Sequence, residues 1–198
     1  MSRLLLALVA SMAAISAGAA TPEQTRLLVG IMVDGLDADQ LDLLRERFGQ
    51  GGFKLLEQQG VTLTADYGTS LDATAATATI FTGAAPSTSG IGGDTHFDRR
   101  TLRKSPVYAD HDVLGNFSPS GFSPKALRVS NLSDEARIAS GGTNNVYAVA
   151  AQPGMAISMA GHNATSALWL DHKPRNWASS PAYPDMPVAI AARNRTLP

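Results

Sequence analysis

The sequence predicts an α/β protein with a central, mostly parallel sheet flanked by helices. Three observations carry this. The run "LLVGIMV" (27–33) has the length of a strand and is apolar or glycine throughout, the pattern of a parallel strand covered on both faces. Two helix-length segments follow, each closed by glycine, and then "VTLTADY" (61–67) alternates as a strand does. Strand, helix, helix, strand in forty residues is an α/β opening.

Each element has its own local reason. Asp37 stands where a helix cap should, Gln40 three residues on completes a capping-box pattern, and Leu41, Leu43, Leu44 and Phe48 supply an apolar stripe. Gly49, Gly51 and Gly52 end that helix, and Phe53–Gln59 forms a second one stopped by Gly60. "DATAATATIFTG" (72–83) suits a tightly packed helix from about Thr74, with Gly83 as its terminator and Pro86 close behind. Residues 87–125, rich in Gly, Ser, Pro and Asp, read as loops with short strands. "SDEARIASGG" (133–142) reads as a helix capped by Ser133. "NVYAVAAQ" (145–152), "MAISMAG" (155–161) and "SALWLD" (166–171) read as strands, and the proline-punctuated tail holds one helix at 187–193.

Bulk properties narrow the classes. Arg3, the apolar stretch Leu4–Ile15 and the small residues Ala17-Gly18-Ala19 form a secretory signal peptide over residues 1–20, too short in its apolar part to span a bilayer. Residues 21–198 then make one domain of an exported, periplasmic or secreted protein without a membrane span. There is no cysteine, which excludes disulfides, a thiol nucleophile and thiolate metal sites. Lys plus Arg is 16 against 17 for Asp plus Glu, with no basic stripe of the kind that binds nucleic acid. The short cluster "RRTLRK" (99–104) reads as a solvated hairpin face.

Two places invite chemistry. Asp34 ends the first strand, where open α/β sheets bind their ligands and where a carboxylate can hold a metal; the plainer role is to start a turn. The Thr-rich start of the 72–83 helix presents unpaired N–H groups suited to phosphate, and a hydroxyl there could attack phosphorus. Its plainer role is capping and close packing. His96, His111, His162 and His172 have no metal-ligand spacing, so His162, after a strand-like run, reads as a hydrogen-bonding structural residue.

The succession "VGIMVDGLDADQLDLLRERFGQGGFKLLEQQG", "ATIFTGAAPSTSGIGG", "FDRRT", "FSPKALRVSNLSDEARIAS", "GMAISMAGHNATSALWLD" and "NWASSPAY" resembles the alkaline phosphatase superfamily. It is most similar to its type I phosphodiesterase/nucleotide pyrophosphatase branch. The resemblance implies a phosphoric ester hydrolase acting on a phosphate ester through two zinc ions. Asp34 would be a metal ligand and Thr74 the catalytic nucleophile.

The chain departs from that pattern at three points. Aligned without a gap from Thr82-Gly83, the nucleophile position falls on Ala73, and a one-residue shift is needed to bring Thr74 there. Asp94 stands where phosphatase members have Asn, and a carboxylate repels a phosphoryl group. Gln152 and Gly154 stand where a Lys and Arg pair would hold phosphate. The family's other metal ligands come from a later part of the domain, so the chain reads as the N-terminal half of one, a fragment or truncated frame. A non-catalytic binding or assembly protein of the cell envelope is the alternative.

Overall fold

The computed structural model describes residues 26–117, 121–171, 175–184 and 186–196. The signal-peptide reading of residues 1–20 and His172 lie outside the described residues. The chain divides into two units, one ending at Val33 and the other running from Asp34.

In the first unit, residues 26–33 form no strand, and Leu27 and Ile31 are 78% and 80% exposed. The predicted first strand is therefore corrected. A run that is apolar on both faces specifies burial only when strands lie on either side of it, and no described strand pairs with it.

In the second unit, α1 (Ala38–Leu44) is capped by Asp37, whose carboxylate takes the N–H of Asp39 rather than that of Gln40. A single 3₁₀ turn, Arg45–Arg47, follows, and α2 spans Phe53–Gln59. Arg45 bonds Asp42 at 2.6 Å and Glu57 at 2.5 Å, and the Phe48 and Phe53 rings lie 5.3 Å apart. Neither α1 nor α2 buries a residue. Residues 61–67 form no strand and are exposed, the second correction to the predicted sheet.

The core begins at α3 (Ala73–Thr82), which buries Thr74, Ala75, Thr77 and Ala78 and closes on Gly83 in the left-handed region, φ 65°. A one-turn helix, α4 (Pro86–Ser89), leads to an antiparallel hairpin of β1 (Thr95–Asp98) and β2 (Arg103–Pro106). After the 3₁₀ turn Pro124–Ala126 comes α5 (Leu132–Ala139). Its cap is Asn131, not Ser133: Asn131 Oδ1 takes the N–H of Asp134, and Asp134 Oδ2 returns to the N–H of Asn131.

A three-stranded sheet holds β3 (Tyr147–Ala150), β4 (Ser166–Asp171) and β5 (Asn176–Ala178) in that order. β3 runs parallel to β4, and β5 is antiparallel to it. The crossover from β3 to β4 is α6 (Pro153–Ala160), a helix where the sequence reads as a strand. A short apolar run fits either state. Pro153 in the first turn and Gly161 at φ 71° mark helix ends, and Ala156 to Ala160 are all buried. The last helix, α7 (Val188–Thr196), matches the tail prediction. Its Asn194 side chain pairs with both backbone groups of Trp177, accepting at 2.9 Å and donating at 2.6 Å.

The core lies where α3, α6 and the sheet meet. Ala75, Ala78, Ala156, Ile157, Ala160 and Ala167 are buried there, and Trp169 packs edge-on against Phe122 at 5.7 Å. The molecule is α/β, as predicted, built of helices on small sheets.

Candidate functional site

The first turn of α3 gathers the residues that matter most. Asp72 caps it, one carboxylate oxygen taking the N–H of Ala75 at 3.0 Å and the other that of Asp94 at 2.6 Å. Asp94 in turn takes the N–H of Thr74 at 3.3 Å. Two of the helix's opening N–H groups are thus satisfied by the chain's own carboxylates, which suit the positive end of a helix dipole. The close return of the chain needs Gly93, where a β-carbon would lie 2.9 Å from Asp72 Oδ2.

Thr74 is the second residue of α3 and 1% exposed. Its side chain lies against α6, so a β-carbon on Gly154 would stand 2.5 Å from Thr74 Oγ1 and 3.0 Å from Cγ2. Absence of a side chain at 154 lets the two helices approach. Thr77, three residues on, donates to the carbonyl of Ala73 at 2.7 Å. So the structure brings Asp72, Thr74, Asp94 and Gly154 together.

Asp34 sits in a tight turn with Gly35, at φ 72°, and is exposed. Among the described residues, no group of three or more His, Asp or Glu side chains converges as a metal site. Zinc needs three or four protein ligands. The described residues therefore do not fit a zinc ion.

A second polar cluster centres on Asp134, which is 1% exposed. Its carboxylate takes the N–H groups of Asn131, His162 and Asn163 at 3.2, 2.8 and 2.9 Å and faces His162 Nδ1 at 3.0 Å. His162 Nε2 lies 2.9 Å from the carbonyl of Leu127. His162 is the structural residue the sequence suggested, tied to the loop before α5. Asp134 goes unnoticed in the sequence reading, although the Asn-x-x-Asp spacing of a capping box announces it.

A cleft of about 360 Å³ runs beside the hairpin, bordered by His96, Asp110, His111, Asp112 and Lys125. Its charges are largely paired. Ser123 donates to Asp110 at 2.5 Å and, with other bonds, holds that carboxyl below its usual range, and Lys125 bonds Asp112 at 2.8 Å. Behind it, burial raises the Tyr108 phenol to about 12, against the hydrogen bond it makes with Ser158 at 2.9 Å. Burial likewise raises Tyr183, whose hydroxyl donates to the carbonyl of Gly161 at 2.8 Å.

A crossover helix between parallel strands, with a Thr-bearing helix packed on it, is a common α/β frame, and comparison with known proteins identifies the family. Residues 28–194 match the type I phosphodiesterase / nucleotide pyrophosphatase family, so the chain belongs to it and to the alkaline phosphatase superfamily. Individual relatives follow. The chain is 32% identical over 169 residues to alkaline phosphatase PhoV of Synechococcus elongatus, covering 82% of this chain and 30% of PhoV. It is 32% identical over 165 residues to alkaline phosphatase PafA of Elizabethkingia meningoseptica, covering 80% and 30%. A protein of Myroides odoratus described as a calcium-transporting ATPase is 31% identical over 180 residues, covering 87% and 33%.

Crystal structures of PafA superpose on the fold. A quadruple mutant gives a TM-score of 0.73 at 27% identity, over 82% of this chain and 33% of that one. The wild type gives 0.70 at 26%, over 79% and 32%. The chain thus spans about a third of the length of these relatives, less than the half expected from the sequence.

Proposed function

We propose that this chain is the N-terminal part of an exported, metal-dependent phosphoric ester hydrolase, with Thr74 as nucleophile and Asp34 as one metal ligand. The observation that carries this reading is a threonine in the first turn of α3, in a chain whose residues 28–194 match a hydrolase family. A zinc pair would supply Lewis-acid stabilisation of the phosphoryl oxygens, but its other ligands must come from outside the described residues. This chain's own contribution is to fix the Thr74 side chain by packing in the first turn of α3. Thr74 is 1% exposed, with the first turn of α6 against it, so catalysis requires that its hydroxyl be uncovered.

The alternative, a non-catalytic binding or assembly protein of the cell envelope, is favoured by Asp94. Its carboxylate occupies the helix end where a phosphoryl group would sit. The deciding experiment is turnover of p-nitrophenyl phosphate and bis-p-nitrophenyl phosphate with zinc supplied. It compares this chain alone with a chimera in which the C-terminal two thirds of PafA follow it. The hydrolase reading expects turnover by the chimera only, lost in both Thr74→Ala and Asp34→Ala. Turnover that survives Thr74→Ala removes it from the chemistry, and a folded chimera without turnover supports the non-catalytic reading.

A further inference from the structure

The hairpin of β1 and β2 carries a cluster of four cations in a chain whose net charge is -1. Arg99, Arg100, Arg103 and Lys104 all lie at its tip and are exposed. No ion pair among the described residues involves any of them. The one carboxylate at the tip, Asp98, is turned into the loop. It accepts from the N–H of Arg100 at 2.8 Å, the N–H of Thr101 at 3.4 Å and the hydroxyl of Thr101 at 2.9 Å.

The tip also carries apolar groups that a solvated turn does not need. Leu102 is 74% exposed at φ 55°, a left-handed position where Gly or Asn would be less strained. Phe97 is 58% exposed and lies directly across from Lys104 in the strand register. On the other face His96 meets Ser105 at 3.3 Å and borders the cleft, which leaves Phe97 and Lys104 on the side away from it. Cations and exposed hydrocarbon thus share the turn at 99–102 and the strand ends beside it.

We propose that this hairpin tip docks on anionic phospholipid, with Leu102 and Phe97 entering the acyl boundary and the four cations meeting headgroup phosphates and carboxylates. Peripheral attachment of this kind combines an apolar wedge with attraction of about 1 kcal/mol per Lys or Arg near the surface, or roughly fivefold each. Nucleic acid would use the cations but gain nothing from Leu102.

The test is sedimentation of the full chain with vesicles of phosphatidylcholine, with and without phosphatidylserine. The expected result is binding to the anionic vesicles only, weakening as salt rises. Arg99→Glu/Arg100→Glu should lower partitioning at least about tenfold. Leu102→Asn, which suits the left-handed turn, should lower it several-fold with an unchanged circular dichroism spectrum. Arg193→Glu/Arg195→Glu on α7 should leave it unchanged. Equal binding to neutral vesicles, or binding that neither hairpin variant reduces, overturns the proposal. Binding that ignores Leu102→Asn and is competed away by a DNA oligonucleotide also overturns it, in favour of a polyanion site.

Discussion

Gly154 and Thr74 make one of the tight side-chain contacts among the described residues. A methyl group at 154 has nowhere to go, because the threonine it meets is β-branched, buried and held by the helix. Gly154→Ala should therefore lower stability by about 1–3 kcal/mol, and most of that loss should vanish in a Thr74→Ala background. Urea denaturation of the four proteins of that cycle measures it, and independent, additive losses would refute the contact. Two buried phenols, Tyr108 and Tyr183, share the alkaline limit. Tyr108 rises from 10.0 to about 12 on folding because burial favours its neutral form. The unfolded chain loses that proton first, so this stability is complete below pH 10 and drains away as pH climbs toward about 12. A shift of that size is worth about 2–3 kcal/mol, and Tyr108→Phe should flatten the fall in a pH series of melting points.

Among the elements, those with a local reason to form were legible and those that need distant partners were not. α1, α2 and α3 announced themselves by caps, glycine stops and helical spacing, and the hairpin by its turn-rich flanks. The stretches 27–33 and 61–67 read as strands from pattern alone, but a strand exists only in a ladder, and no described strand pairs with either. α6 failed for a different reason. Five consecutive residues, Ala156 to Ala160, are buried, so the 3.6-residue period that marks a surface helix never showed. At α5 the misreading was one of cap choice. Ser133 was the obvious candidate, yet its hydroxyl donates to the carbonyl of Met159 at 2.6 Å while Asn131 closes the helix. Asn131 also donates to the carbonyls of Ser158 and Met159, at 2.8 and 3.1 Å. Asn131→Ala should thus cost at least about 2 kcal/mol, more than Ser133→Ala at about 1 kcal/mol, in thermal or urea unfolding. A larger loss from Ser133→Ala would reverse the assignment. Of the candidate site, Thr74 and Asp94 were readable from their order along the chain, whereas the Gly154 contact depended on how α6 folds.

At the scale of the molecule, apolar surface is the dominant liability. Leu27, Leu28, Val29, Ile31, Val61 and Leu63 are each at least 65% exposed, and all lie in the two segments that read as strands. Unpaired apolar segments of this kind invite association. The expected outcome is low soluble yield and strong fluorescence of a hydrophobic dye such as anilinonaphthalene sulfonate at neutral pH. A dye-silent chain with one sharp unfolding transition would show these segments covered. The seating of Gly154 bears, finally, on ancestry. A larger side chain cannot be gained at position 154 by one codon change without strain, since its β-carbon lands on the threonine opposite. Positions 154 and 74 would have to change together, so the pair acts as a ratchet.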